Sequence, residues 1–235
     1  MCYSNSLSAS LNHLENAYRK DTSQLENFSP VYLVSGFSFP VWPVITTEPS
    51  FIPMRWGLIP SWFRGIKPND FANKTLNARI ESLNEKASFK HLVTQKRCVI
   101  PSTGFYENQQ VDAHKKPFFI FPNKGPFFHM AGLYDTWIDV ATRDVYFGFT
   151  IITTQANSLM AEIHNTKKRM PLLLENEQYQ EYLYGDKAIN TYKPLAETSM
   201  GCHPISKRIF TSENNNFPSV QQRVDDNIGT QGLLF

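Results

Sequence analysis

What most constrains this 235-residue chain is a succession of short β-type runs broken by proline, with no regular alternation of strand and helix. The runs fall at residues 31–34, 42–46 and 51–58, then at 98–100, 105–107, 117–121, 127–133 and 145–153, and most are rich in β-branched or aromatic residues. Pro40, Pro43, Pro49, Pro53 and Pro60 punctuate the first group. Proline cannot donate a ladder hydrogen bond, so these runs suit edge strands and turns better than central positions. Helical spacing is sparser. Leu7, Leu11, Leu14 and Tyr18 predict a short amphipathic helix over 6–19, just behind the N-terminus. Ile80, Leu83, Ala87 and Leu92 predict another over 77–93, and short helices near 156–163 and 175–184 should bracket a buried strand at 170–174. Many strands, few helices and no βαβ rhythm predict an α+β fold: a single domain over 1–235 with an antiparallel, barrel-like β core and flanking short helices. The 18 Phe, 10 Tyr and 4 Trp supply an ample core, and only the polar end around Asn214, Asn215 and Asn216 looks poor in structure.

Composition excludes more than it selects. A net charge of +2 is too small to announce a nucleic-acid partner by itself. Cys2, Cys98 and Cys202 form no C-x-x-C pair and no zinc spacing, and an odd, sparse set of cysteines fits a reducing compartment with free thiols. No apolar run approaches a membrane span, and the stretch from Ser4 to Lys20 is too polar for a signal peptide. The expectation is a soluble, cytoplasmic, monomeric protein that is not secreted and needs neither metal nor cofactor.

The chain opens Met1-Cys2-Tyr3-Ser4, and aminopeptidases trim an initiator Met ahead of a side chain as small as Cys. Trimming would make Cys2 a 1,2-aminothiol, with an amine of pKa about 7.7–8.0 and a thiol of about 8.5. Such a group condenses with an aldehyde to a Schiff base, and its thiolate then closes a five-membered thiazolidine ring. The ring closure is intramolecular and gains a large effective concentration. Position alone favours an ordinary cysteine near a frayed end.

Polar groups set in apolar surroundings add to this. Asn77 and Arg79 sit in Leu76-Asn77-Ala78-Arg79-Ile80-Glu81, Glu107 ends Gly104-Phe105-Tyr106-Glu107, and His164 follows Ile163 with Arg169-Met170-Pro171 beyond. Each has an ordinary structural role open to it: a helix cap for Asn77 or His164, an ion pair with Glu81 for Arg79, a solvated strand end for Glu107. Trp62 and Phe63, beside Arg64 in a Pro/Gly loop, would serve equally as a lid on the core or as a base-stacking platform.

Taken together, these segments resemble the SRAP family (SOS-response-associated peptidase, or abasic-site processing proteins). The matching stretches are Met1-Cys2, Arg55-Trp56-Gly57-Leu58-Ile59-Pro60-Ser61-Trp62, Asn77-Ala78-Arg79-Ile80-Glu81, Arg97-Cys98-Val99-Ile100-Pro101 with Gly104-Phe105-Tyr106-Glu107, Ile151-Ile152-Thr153-Thr154, Ile163-His164 with Arg169-Met170-Pro171, and a fainter His203-Pro204-Ile205-Ser206. The resemblance implies covalent capture of abasic sites in single-stranded DNA by the N-terminal Cys as a thiazolidine crosslink, in the response to DNA damage and at the nucleoid. It also implies roles. Cys2 is the nucleophile, Asn77 positions its amine or the opened sugar, and Glu107 and His164 handle protons. Arg79 and Arg169 contact backbone phosphates, and Trp62 and Phe63 wall the unstacked lesion.

The sequence departs from the family in three places. Tyr3-Ser4 stands where the family has Gly-Arg, and Tyr32-Leu33-Val34-Ser35-Gly36 lacks an Asn and a Pro. Asn165-Thr166-Lys167-Lys168 lengthens the link between His164 and Arg169, adding two cations. Two rivals remain open: an N-terminal-nucleophile peptidase or amidase using the same thiol, including self-removal of Met1, and a non-catalytic binder of single-stranded DNA.

Overall fold

The computed structural model describes residues 2–210 and 215–224. The N-terminal part runs β1 (Ser4–Leu7), α1 (Leu11–Tyr18), β2 (Val31–Ser35), β3 (Val41–Val44), β4 (Ile52–Trp56), α2 (Pro68–Ala72) and β5 (Asn77–Arg79). The central strands follow as β6 (Arg97–Ser102), β7 (Gly104–Val111), β8 (His114–Pro122), β9 (Phe128–Ile138) and β10 (Val145–Gln155). Then come α3 (Ser158–Ile163), β11 (Arg169–Pro171), β12 (Leu173–Leu174), α4 (Gln178–Tyr184) and β13 (Met200–Pro204).

The strands form two sheets. One has the order β13-β8-β7-β1-β2, and all its pairings are antiparallel. The other has the order β12-β9-β10-β4-β3, with β11 and β5 joined to β10 and β6 joined to β9. It is mostly antiparallel, but β10 runs parallel to both β4 and β5. Among the described residues these ladders form no closed barrel. A single antiparallel bridge, Ile45–Val99, nevertheless brings the end of β3 back onto β6, so the sheet curls as a barrel does. This is the α+β class that the strand-rich pattern predicts.

One buried cluster draws on both sheets, with Leu7, Phe105 and Ile120 from the first and Met54, Trp56, Phe149 and Ile151 from the second. The buried indoles satisfy their N–H groups on backbone: Trp42 Nε1 donates to Pro101 O and Trp56 Nε1 to Leu76 O, each at 2.9 Å. β10, bonded on both edges, is buried from Gly148 through Thr154. No helix among the described residues is long and apolar enough to cross a membrane.

Two predicted helices differ from the structure. The one expected over 6–19 begins only at Leu11, after the Ser10 hydroxyl caps it by accepting from His13 N at 3.3 Å. Leu14 and Tyr18 keep their predicted buried face, whereas Leu7 ends β1, which lies between β2 and β7. The helix expected over 77–93 is replaced by β5, a 3-10 turn at Ile80–Ser82 and further turns. Helical periodicity there is genuine burial of Leu83, Phe89 and Leu92, met by successive turns once Asn77–Arg79 is drawn into the ladder with β10. Of the polar end, Asn214 lies outside the described residues. Asn216 Oδ1 accepts from Tyr32 N at 2.6 Å and Leu33 N at 3.4 Å, so it covers part of the open edge of β2.

The sheet junction tolerates no extra atom at Gly132 on β9. A Cβ there would lie 2.4 Å from Ile100 Cδ1 and 2.7 Å from Thr150 O. Gly132→Ala is therefore expected to destabilise the fold by about 1–3 kcal/mol, read as a lower urea midpoint. An unchanged midpoint would show that β6 and β10 can move apart.

Candidate active site

The site is assembled where the start of β1 meets the second sheet. β1 pairs with β2 and β7 at once, and Ser4 lies opposite Ser35 on one side and Tyr106 on the other. That register carries Cys2 and Tyr3 alongside Glu107, the next residues of β7. Cys2 is 0% exposed. Its carbonyl accepts a hydrogen bond from Asn77 Nδ2 at 2.9 Å, and its thiol donates to Ser4 O across 3.8 Å. Asn77 is brought there by the parallel pairing of β5 with β10, in which it lies opposite Ile151. Its other side-chain atom, Oδ1, is buried and has no hydrogen-bond partner among the described residues. Burial pushes the Cys2 thiol well above its ordinary pKa, and the nearby Glu107 carboxylate pushes the same way.

Glu107 and His164 form the second half of the site. Glu107 is 8% exposed, and desolvation pushes its carboxyl up to about 7. His164 closes α3 as its C-cap, and its Nδ1 lies 4.0 Å from Glu107 Oε1 and 2.8 Å from Arg169 O. A carbonyl oxygen only accepts, so Nδ1 carries the hydrogen and donates it. Burial holds the imidazole below its ordinary pKa; the Arg169 carbonyl opposes this, and the charges of Lys167 and Arg169 reinforce it. Near neutrality the pair thus consists of a carboxyl close to half protonated and an imidazole that favours its neutral form.

The two arginines differ sharply. The Arg79 side chain is 63% exposed, with Nε 3.8 Å from Glu81 Oε2. Arg169 is buried: Nη1 meets Glu81 Oε1 at 2.5 Å, and Nη2 donates to Thr153 O at 2.7 Å. The phosphate contact expected of Arg169 is not what its present partners serve, since they hold β11 to β10 and β11 to Glu81. Glu81, which sequence reading offers only as a partner for Arg79, bridges both guanidinium groups.

Beside Cys2 runs a groove of about 410 Å³ lined by Tyr3, Phe71, Lys74, Asn77, Arg79 and Lys86 among others. Trp62 is half exposed and meets Phe71 edge-on at 5.9 Å between ring centroids. Phe63 packs on Phe71 at 4.9 Å, and its carbonyl accepts from Trp137 Nε1 at 2.9 Å. Phe71, Lys74 and Lys86 escape sequence reading because nothing in their spacing marks them; only the fold brings them to one groove.

The inserted turn after His164 is pinned. Asn165 Nδ2 donates to Gln110 O at 2.8 Å while Asn165 Oδ1 accepts from Gln110 N at 3.0 Å, so one side chain makes both bonds to a β7 residue. Among the described residues no group of three or more His, Cys, Asp or Glu side chains could hold a metal ion.

The model of the family described as SOS response associated peptidase (SRAP) matches residues 1–212. Abasic site processing protein YoqW of Bacillus subtilis is 36% identical over 168 residues, covering 69% of this chain and 72% of that one. Abasic site processing protein HMCES of Xenopus tropicalis is 33% identical over 194 residues, covering 72% of this chain but 56% of its own. A crystal structure of a protein from Bacteroides thetaiotaomicron superposes with a TM-score of 0.91 at 34% identity, over 95% of this chain and all of that one (100%). A more distant one from Bordetella bronchiseptica, with a TM-score of 0.75 and 20% identity over 87% of this chain and 100% of its own, shares the fold.

The raised pKa of Glu107 has a consequence for stability. Between its ordinary value of 4.5 and about 7, the folded protein holds a proton that the unfolded chain has released. Stability therefore falls as pH rises through that window. Glu107→Gln should be more stable than wild type at pH 8, by at most about 3 kcal/mol, with the advantage fading towards pH 4. Urea titrations of both proteins across this range test it; parallel curves would mean that Glu107 ionises freely.

Proposed function

Because this chain belongs to the SOS response associated peptidase (SRAP) family, we propose that it senses abasic sites in single-stranded DNA and captures them covalently through Cys2 as a thiazolidine. The observation that carries this reading is the enclosure of Cys2 by Asn77 on one side and the Glu107–His164 pair on the other. An aminothiol, an acid and an imidazole in one place suit an aldehyde better than they suit an amide.

The chemistry begins once Met1, which lies outside the described residues, is removed. An abasic deoxyribose exposes its C1′ aldehyde only when the ring opens: protonated Glu107 gives a proton to the ring oxygen while the C1′ hydroxyl gives its own to the neutral imidazole of His164. The Cys2 amine adds to C1′ to give a carbinolamine. Protonation of the hydroxyl expels water and leaves the imine. The thiol sulfur then bonds to the same carbon, its proton passes to nitrogen, and the ring is closed. The balance is protein plus DNA minus one water. Asn77 Oδ1, a buried acceptor, is suited to the N–H of the Cys2 amine, aiming the nitrogen lone pair at the substrate. His164, its Nδ1 committed to Arg169 O and lying beside the Glu107 carboxyl, takes up and returns protons at Nε2.

DNA is held by charge and by stacking. Arg79, with Lys74 and Lys86 in the same groove, contacts phosphates, while Trp62 and the braced Phe63 and Phe71 wall the gap left by the missing base. Arg169 acts one layer further in, holding Glu81 and the His164 ring in place. The protein works as a monomer and without a cofactor, in the cytoplasm where damaged single strands arise.

Mixing the processed protein with an oligonucleotide containing one abasic site should yield, by intact mass spectrometry, an adduct of both masses less water. It should survive denaturation without borohydride. Cys2→Ala or a retained Met1 should abolish it, and Cys2→Ser should leave only a reversible species. A Cys2→Ala protein that crosslinks normally would sink the reading, and turnover of a peptide without a DNA adduct would favour the amidase.

Glu107→Gln and His164→Ala should bind DNA nearly as wild type while crosslinking about 10²-fold more slowly. Because Glu107 must be protonated to act, the wild-type single-turnover rate should fall as pH rises through about 7, and this step should vanish in Glu107→Gln. Arg79→Ala should flatten the salt dependence of binding by about one unit of slope, equally for intact and abasic strands. Wild-type rates in both folded acid–base variants would remove those residues from the mechanism.

A further inference from the structure

Next to Cys2 stands an aromatic pair that the capture chemistry does not use. Phe37 is 52% exposed, and the ring of Tyr3 packs on its ring at 4.9 Å between centroids with the planes 31° apart. Single exposed aromatics are common and need no explanation. This one differs because its backbone is fixed from several sides. Gly36 N donates to Tyr3 O at 2.8 Å, Phe37 N donates to Ser35 Oγ at 3.3 Å, and Ser38 Oγ donates to Ser35 O at 2.7 Å. The 3-10 turn Gly36–Ser38 sits on the Trp56 indole, so closely that a Cβ on Gly36 would lie 3.1 Å from the ring. Just beyond it, Phe39 is covered by the Arg55 guanidinium at 4.4 Å. A half-exposed ring held this firmly is preorganised to meet something flat.

Its position says what. Tyr3 lines the same groove as Asn77, Arg79, Lys74 and Phe71. Burial, and then the Glu107 charge, raise the pKa of the Tyr3 hydroxyl, which places that end of the ring in the field of the reaction centre. The groove thus has cations for phosphates, Phe71 braced by Trp62 in its wall, and Tyr3 next to Cys2, with Phe37 packed on the Tyr3 ring. Every nucleobase offers a π face, and stacking on aromatic side chains is the sequence-tolerant way to hold an unpaired one.

We infer that Tyr3 and Phe37 form a stacking site for an unpaired nucleobase that adjoins the abasic nucleotide held by Cys2. The inference rests on the single-stranded DNA reading above and adds a ligand contact separate from Trp62 and Phe63. It gives the Tyr at position 3 a function: the residue that follows the nucleophile grips the neighbour of the nucleotide being captured.

The test uses single strands carrying a stable tetrahydrofuran abasic analogue, which cannot crosslink, with 2-aminopurine on one side of it or the other. Wild type should quench 2-aminopurine at one flanking position. Phe37→Ala and Phe37→Leu should lose that quenching and bind on the order of tenfold more weakly, whereas Phe37→Trp should retain both. Leu keeps most of the apolar area without the π face, and all three changes lie on an exposed side chain that the fold does not need. With a strand whose flanking positions also lack bases, wild type and Phe37→Ala should bind alike. Normal quenching and affinity in Phe37→Ala would overturn the inference while leaving capture intact. Equal weakening on the base-free strand would overturn it too, by reducing Phe37 to a general contact. If wild type neither binds nor crosslinks single strands, the capture reading and the stacking site fall together.

Discussion

A chain end keeps its place only where its backbone hydrogen bonds are made, and β1 makes them on both sides, to β2 and to β7. Most of the site depends on that interior position. A terminal strand on a sheet edge would leave residue 2 free to sample solvent. Here the register delivers it to Glu107, and the Asn77 amide from the opposite sheet fastens its carbonyl. The cost is access: the Cys2 side chain is enclosed and its thiol strongly favours the protonated form. A buried thiol that stays protonated is protected from oxidation and from passing electrophiles.

Burial also explains why Glu107 and His164 suit each other. Low polarity raises the acid and lowers the base, so each group is pushed towards its neutral form. The charges of Lys167 and Arg169 add to the lowering at His164. Arg169, the nearest fixed cation in the interior, is neutralised by Glu81 and spends its second nitrogen on Thr153 O. The exposed Arg79 is left to face the groove.

Much of this was legible in the sequence, though unevenly. The strand runs are visible because β-branched and aromatic residues cluster between prolines, and they agree with β2 to β4 and β6 to β10 to within about five residues, whereas β5 falls inside an expected helix. The helices misread were those where apolar spacing satisfied a helix while the backbone was needed elsewhere. Leu7 and Ile80 fit helical periodicity, but the residues beside them complete ladders with β7 and β10. Tertiary pairing outweighed local preference, as it commonly does in short segments. Asn77, Glu107 and His164 stand out as polar groups in apolar runs and by resemblance, but that the fold gathers them is not local information, since 87 positions separate Asn77 from His164. What the motif could not convey was state: that Arg169 is enclosed and Arg79 is not, that Glu81 joins them, and that Tyr3 has gained Phe37 as a partner. These follow from which side of a strand a residue occupies, and a one-residue change of register would reverse each of them.

The Asn165 side chain is worth following one step further. An amide that both donates to and accepts from Gln110 copies what a neighbouring strand residue would do, so the ladder of β7 gains one rung made of side chain. The residues between His164 and Arg169 consequently do not hang as a slack tether between two site residues. Lengthening a loop costs little chain entropy, roughly 0.6 kcal/mol for each doubling, but it ordinarily loosens whatever lies at its ends. Here the amide rung takes up the slack, and extra length has been admitted beside the His164 imidazole without passing its freedom on. The same device would let this connection vary in length among related chains while the histidine it follows stays where it is.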